Sequence, residues 1–192
     1  LSLIYTPINT FIFSPLDIYK VISKLNINNK RVLIFGADNL FDKRKGLKIL
    51  LDVFKNKLID QSHEYVLLTF GKGKLEHKII NNLRIINFGY LKSKIEINKL
   101  FNAADVLVLP SSIDNLPQIG LEAQTSGLPV ITFRNSGLKE LIDEKKTGLF
   151  TNQENSLSLS FEISSFFNNN DDLDKFRTNS RNRSLGLWSE EI

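Results

Sequence analysis

Arg31-Val32-Leu33-Ile34-Phe35-Gly36 is an uninterrupted apolar run closed by a glycine. A strand wetted on one face alternates apolar and polar residues, whereas a run that is apolar at every position fits a strand covered on both faces. The same signature returns at Tyr65 to Phe70, at Arg84 to Phe88, at Asp105-Val106-Leu107-Val108-Leu109-Pro110, at Pro129-Val130-Ile131-Thr132-Phe133 and, in short form, at Thr147-Gly148-Leu149-Phe150. Between these runs the apolar residues fall at helical spacing. Leu47, Leu50, Leu51, Phe54 and Leu58 form one stripe, and Leu75 to Leu83, Ile95 to Ala103, Ile119 to Ser126 and the short Leu138 to Ile142 read as further helices. Such alternation predicts an α/β fold, a Rossmann-like parallel sheet sandwiched by helices.

The flanks complete a single domain over 1–192. Residues 1–30 form a lead-in segment and helix, 31–150 the βα repeats, and 151–192 C-terminal helices. In the lead-in, Ser14-Pro15-Leu16-Asp17 reads as a helix start with Ser14 as N-cap, followed by Ile18, Val21, Ile22 and Leu25 at helical spacing. From Ser156 onward the pattern is helical again, broken by the polar run Asn168 to Asp172.

Composition narrows the function classes. With 192 residues, 42% hydrophobic and 24% charged, the chain has enough apolar material for one packed core. No run approaches the roughly 18 apolar residues needed to cross a bilayer. The chain has no Cys, so a disulfide framework and a thiolate metal site are excluded, and a reducing cytoplasm fits. It has no Met either, and reads as a piece of something longer. The net charge of +4 suits anionic ligands but falls well short of a nucleic-acid arm, and the basic residues lack interleaved aromatics. His63 and His77 stand apart without metal-ligand spacing, and no serine sits on a nucleophile elbow.

Ligands of open parallel sheets bind beyond the carboxyl ends of the strands, where strand order reverses. The segments that follow the strands are therefore the place to look. After the first comes Asp42-Lys43-Arg44-Lys45-Gly46, after the second Gly71-Lys72-Gly73-Lys74, and after the third Gly89-Tyr90-Leu91-Lys92. After the fourth comes Ser111-Ser112-Ile113-Asp114-Asn115-Leu116-Pro117-Gln118, leading into a helix with Glu122. Cations and the N–H groups of helix starts suit a pyrophosphate. Carboxylates suit the hydroxyls of a ribose or sugar, because an ionised carboxylate accepts paired hydrogen bonds. One edge offering both matches a nucleotide-sugar.

The stretch Asp114-Asn115-Leu116-Pro117-Gln118-Ile119-Gly120-Leu121-Glu122-Ala123, followed by Ser126-Gly127-Leu128-Pro129 and a strand, resembles the E-x7-E region of glycosyltransferase family 4. Asp114 takes the first acidic position, where the family usually has Glu, and Glu122 the second. Arg44-Lys45-Gly46-Leu47 is similar to the family's Lys-Gly helix start, Phe70-Gly71-Lys72-Gly73 to its G-x-G turn, and Phe88-Gly89-Tyr90 to its base-side loop. Ser136-Gly137-Leu138-Lys139-Glu140 and Thr147-Gly148-Leu149 extend the likeness over about residues 4 to 190. Two departures stand out. Gly36-Ala37-Asp38-Asn39 replaces an Arg-bearing first loop, and Ser136-Gly137 replaces a pair of glycines.

The resemblance implies the C-terminal, donor-binding half of a GT-B enzyme. Its implied activity is retaining, metal-independent transfer of a hexose from a nucleoside-diphosphate sugar to a glycan or lipid-linked acceptor, with no cofactor. It assigns catalytic roles to Lys45, Asp114 and Glu122, and donor contacts to Arg44, Gly71, Lys72, Tyr90, Leu91, Asn115, Leu116 and Pro117. The acceptor would bind through an N-terminal domain outside this chain. The full-length protein would work in the cytoplasm, with peripheral association at the inner face of the membrane. Two rival readings are a non-catalytic nucleotide-sugar-binding module and a nucleotide-sugar epimerase of the same architecture.

Overall fold

A computed structural model of the chain describes residues 7–17, 19–135, 137–168 and 173–188, with backbone alone for 19–21. Ile18, Ser136, the side chain of Val21 and most of the polar run after Asn168 lie outside the described residues. Seven strands form one sheet: β1 (Arg31–Asn39), β2 (Tyr65–Lys72), β3 (Lys78–Ile80), β4 (Leu83–Asn87), β5 (Val106–Leu109), β6 (Val130–Phe133) and β7 (Gly148–Thr151). Their order is β3-β4-β2-β1-β5-β6-β7. Every neighbouring pair is parallel except β3 with β4. Helices α1 (Tyr19–Leu25), α2 (Leu47–Lys55), α3 (Lys94–Ala103), α4 (Gln118–Thr125), α5 (Ser156–Asn168) and α6 (Leu173–Trp188) complete the chain.

The continuous apolar strands hide a period of two, because each face of the sheet has its own core. Val32, Ile34, Val66, Leu68, Leu107, Leu109 and Val130 point to one side, where Phe101 of α3, Leu121 of α4, Phe13 of the lead-in and Trp188 cover them. Leu33, Phe35, Leu67, Val106, Val108 and Ile131 point to the other, against Leu50 and Phe54 of α2, Ile163 of α5 and Phe176 of α6. Each fully buried large apolar side chain contributes about 1.5–3 kcal/mol, so both layers are needed to offset chain entropy.

Strand order reverses at β1. The chain runs from β1 out through β2 to β4, then returns to place β5 on the other side of β1. Strands β1 and β5 share only the pairs Leu33↔Val106 and Ile34↔Leu107, so their carboxyl ends leave the sheet separately. That divergence opens the crevice in which the site lies.

Three local expectations are corrected. The stretch 75–83 is not a helix but holds β3 and the turn into β4. Leu75, Ile79 and Leu83 have helical spacing, yet Ile79 is 74% exposed, and Asn81 adopts a left-handed φ of 52°. The Asn81 amide donates to the Phe54 carbonyl at 2.6 Å, and Asn82 donates to the carbonyls of Asp60 and His63. These tertiary bonds fix a turn where the periodicity suggested a helix.

Ser14 does not cap a helix, since 14–17 has no regular secondary structure and α1 is helical from Tyr19. The Ser14 carbonyl accepts from the amides of Asn98 and Asn102, each at 3.0 Å, and the Leu16 N–H donates to Asn102 Oδ1 at 2.7 Å. The segment is thereby tied across α3. Residues 138–142 form turns rather than a short helix. Leu138 and Leu141 are fully buried as the spacing implied, but the Leu141 carbonyl is taken by the Gln124 amide at 2.7 Å. Among the described residues no helix is long and apolar enough to cross a membrane.

Candidate functional site

Two loops, the exits of β1 and β5, carry Lys45 and Asp114 of the crevice. In the first, Asp42 caps a one-turn 3-10 helix at Lys43–Lys45 by accepting from the Arg44 N–H at 3.0 Å. Gly46 then takes a left-handed φ of 76° and starts α2. A β-carbon on Gly46 would overlap the Pro110 carbonyl at the end of β5, so only glycine permits this approach. The Ser112 N–H donates to the Arg44 carbonyl at 2.9 Å and stitches the loops together. Lys45 is thus delivered beside the exit of β5.

The second loop is held from below. The Asn135 amide donates to the carbonyls of Ser111 at 2.6 Å and Ser112 at 3.0 Å. Gly137 packs under the peptide that joins Asp114 to Asn115. Leu116 has a φ of 36°, a left-handed conformation that a bulky residue adopts only when its surroundings impose it. Pro117, not Asp114, is the N-cap residue of α4. The Asp114 carboxylate instead accepts from Lys45 Nζ at 2.7 Å. Neither Asn115 nor Leu116 spends its backbone N–H on an acceptor among the described residues.

Glu122 is buried on the first turns of α4. Gln118, one turn earlier, donates to Glu122 Oε1 at 3.0 Å, and Lys94 Nζ stands 3.8 Å from the same oxygen. Burial pushes the Glu122 carboxyl above the usual glutamate range, while Lys94 and the Gln118 amide pull the other way.

A cavity of about 440 Å³ lies between these groups. Of the residues singled out from the sequence, Lys45, Gly71, Tyr90, Leu91, Asn115, Asp114, Pro117 and Glu122 line it. Arg44, Lys72 and Leu116 do not. Arg44 turns back to Asp42, with Nη2 to Oδ2 at 2.7 Å, and this pair holds the Asp42 carboxyl below its ordinary range. Lys72 pairs with Asp38 at 3.0 Å and sits 5.1 Å from the centre of the Tyr90 ring. Leu116 packs toward the core beside α4.

The wall also contains groups not singled out from the sequence: Asp38, Phe70, Ile97, Gln118 and Ile119. Gln118 had a legible signal, its i,i+4 spacing to Glu122 on one helix face. Lys94 had none, since only the tertiary packing of α3 brings it to Glu122. The cavity thus offers one cation, three carboxylates, an apolar wall and an aromatic rim. That arrangement suits a flat ring, a ribose and a phosphate held in sequence.

Comparison with known proteins places the chain in a family. The sequence profile of the family described as glycosyl transferases group 1 matches residues 17–183. An uncharacterized glycosyltransferase of Methanocaldococcus jannaschii is 30% identical over 158 residues, covering 79% of this chain and 43% of that protein. One from Haemophilus influenzae is 27% identical over 67% of this chain and 37% of its own length. The chain therefore spans less than half the length of these relatives. Among solved structures, Anabaena HepE in complex with UDP and glucose superposes with a TM-score of 0.81 at 18% identity, over 98% of this chain and 53% of that one. The C-terminal domain of a group 1 glycosyl transferase from Francisella tularensis is matched over its whole length, at 16% identity with a TM-score of 0.77 over 96% of this chain. The shared fold is that of GT-B proteins, and with its profile matched from the lead-in through α6 this chain belongs to the glycosyl transferases group 1 family.

Proposed function

We propose that this chain is the donor-binding half of a retaining, metal-independent glycosyltransferase that takes a sugar from a nucleoside diphosphate and passes it to a glycan or lipid-linked acceptor. The observation that carries the reading is the meeting of Lys45, Asp114 and Glu122 around one cavity at the strand-order reversal. The Anabaena relative, whose fold this chain shares, was crystallised with UDP and with UDP-glucose, which supports a nucleotide-sugar as the ligand class.

In this reading the base lies against Tyr90, Leu91 and Ile97, and the ribose hydroxyls donate to Glu122. Lys45 and the N–H group of Asn115 face the phosphates and the transferred sugar. Charge grows on the diphosphate as the glycosidic bond breaks, so a cation fixed beside it lowers the barrier more than it strengthens ground-state binding. Lys45 has the place and the rigidity for that task. Asp114 accepts from a sugar hydroxyl and keeps the sugar in register. Of the chain's Asp-x-Asp triplet, Asp172-Leu173-Asp174, the last two residues lie on α6, which among the described residues supplies none to this cavity. The acceptor is held by a part of the protein outside this chain, and closure of the two around the donor excludes water. The full-length protein works at the inner face of the membrane, where lipid-linked acceptors are found.

Calorimetric titration with UDP, GDP, ADP and their sugar conjugates tests the proposal. One nucleotide should bind saturably, and Lys45→Ala should weaken it about tenfold to a hundredfold, the worth of a charge-assisted hydrogen bond. Equal affinity in wild type and variant would sink the assignment of Lys45. Anomeric analysis of the product made by the full-length enzyme checks retention of configuration.

A further inference from the structure

The ion pair between Lys45 and Asp114 is built into the fold. Two flexible side chains on an open surface gain little by pairing. Here each partner is set by its own backbone. Lys45 closes the Asp42-capped turn and precedes the left-handed Gly46. Asp114 rests on Gly137 and leads into the constrained Leu116. The partners are 69 positions apart in sequence, so local spacing does not produce the contact. Both side chains are largely shielded, at 29% and 14% exposure, which limits screening by salt.

This makes Asp114 an anion already seated on the cation that the donor's phosphates need. An incoming diphosphate meets an attractive ammonium and a repulsive carboxylate together. The other carboxylates of the cavity are engaged elsewhere, Glu122 by Gln118 and Lys94 and Asp38 by Lys72, so the balance at Lys45 is set by Asp114. Asp114 Oδ2 takes Lys45, while Oδ1 accepts from no described residue. A free nucleoside diphosphate has a terminal phosphate with full charge and nothing to donate to Oδ1. A sugar conjugate has an esterified, less charged phosphate and hydroxyls that donate.

We infer that Asp114 is a selectivity device: by holding Lys45 it weakens the binding of free nucleoside diphosphate and so favours the intact donor over the spent product. The inference rests on the donor-site reading above and adds to it a second task for Asp114, discharge of the product. It also accounts for a carboxylate placed against the very cation assigned to the phosphates.

The test is titration of wild type, Asp114→Asn, Asp114→Ser and Lys45→Ala with UDP, GDP and ADP, and with UDP-glucose, GDP-mannose and ADP-glucose. For the base that binds, both Asp114 variants should take the free diphosphate about tenfold more tightly than wild type, the scale expected for one like-charge repulsion at this range. Their affinity for the sugar conjugate should be unchanged or lower. Melting temperatures check that each variant is folded, and the serine variant removes the charge while suiting the same turn. Unchanged or weaker diphosphate binding in the folded variants would overturn the inference and leave the donor-site reading standing. If wild type binds no nucleotide in any form, the donor-site reading itself falls and takes the inference with it.

Discussion

The backbone of Gly137 lies directly against that of Asp114: a β-carbon at position 137 would overlap the Asp114 carbonyl oxygen and stand 2.7 Å from the Asn115 α-carbon. The glycine is needed here for closeness, since backbone meets backbone with no room for a side chain. Gly137→Ala should therefore displace the 114–116 loop and cost about 1–3 kcal/mol as an overpacked contact. Thermal melting should show the loss, and titration with nucleotide-sugar should show an affinity drop larger than the stability change explains. Wild-type binding by a folded Gly137→Ala chain would show that the loop does not position the ligand.

Glu122 gives a prediction whose sign depends on pH. Its carboxyl is held above the ordinary glutamate range, chiefly by burial. The folded state thus binds this proton more tightly than the unfolded chain does. The resulting contribution to stability is full below the ordinary glutamate pKa and is lost as pH rises through the raised one. At neutral pH the buried charge is a burden on the fold. Glu122→Gln should raise the melting temperature at pH 7, keep the Gln118 contact, and show no such gain near pH 4. The same variant should bind nucleotide about tenfold more weakly, because a neutral amide accepts less strongly from ribose hydroxyls. A variant that loses both stability and binding at pH 7 would contradict this account.

Asn135 is a positioning residue by its geometry. Its amide bonds two successive carbonyls, those of Ser111 and Ser112, at the exit of β5, and touches Glu154 Oε1 at 3.3 Å. Asn135→Ala leaves those carbonyls without this donor and should cost about 1–3 kcal/mol. Because the loop continues into Asp114, nucleotide-sugar affinity should fall while the conservative Asn135→Gln restores part of it. Hydrogen exchange across 111–117 would measure the loosening directly.

Arg181 joins three distant pieces of chain. From α6 its Nη1 donates to the Phe13 carbonyl at 2.7 Å and to the Thr125 carbonyl at the end of α4. Burial lowers its pKa, though it stays charged throughout the physiological range. Arg181→Met keeps the aliphatic stem and removes the donors. It should destabilise the domain by about 2–3 kcal/mol while nucleotide affinity in the folded fraction stays at the wild-type level, since Arg181 does not line the cavity of Lys45 and Glu122. A binding defect without a stability defect would contradict that separation.

Much of this architecture was legible because parallel strands announce themselves. Val32 to Phe35 and Val106 to Leu109 are apolar at every position, and their shortness, β-branched residues and flanking Gly36 and Pro110 mark them as buried strands rather than buried helix. Lys45, Asp114 and Glu122 were legible because each follows such a strand, and the rule that ligands gather there is topological. The sequence was misleading where long-range bonds overrode local periodicity. Nothing within 75–83 tells that Asn81 will bond the end of α2, and nothing near Ser14 tells that two asparagines of α3 will claim its carbonyl. Side-chain destinations were equally hidden. Arg44 and Lys45 are neighbours of the same charge, yet one turns to Asp42 and the other to Asp114.

The two hydrophobic layers give the crevice an unusual parentage. Lys45 is anchored by α2, whose buried residues all belong to the layer on one side of the sheet, while Asp114 and Glu122 travel with α4, whose apolar residues belong to the other. The sheet keeps these layers apart, and the contact between ammonium and carboxylate spans their boundary at the sheet's edge. Wear in one layer would move the cation, and wear in the other would move the acids. The spacing between Lys45 and the carboxylates of Asp114 and Glu122 is therefore governed by the relative seating of two cores rather than by either alone. Paired substitutions, one in each layer, should compensate in ligand affinity even though the altered residues never touch.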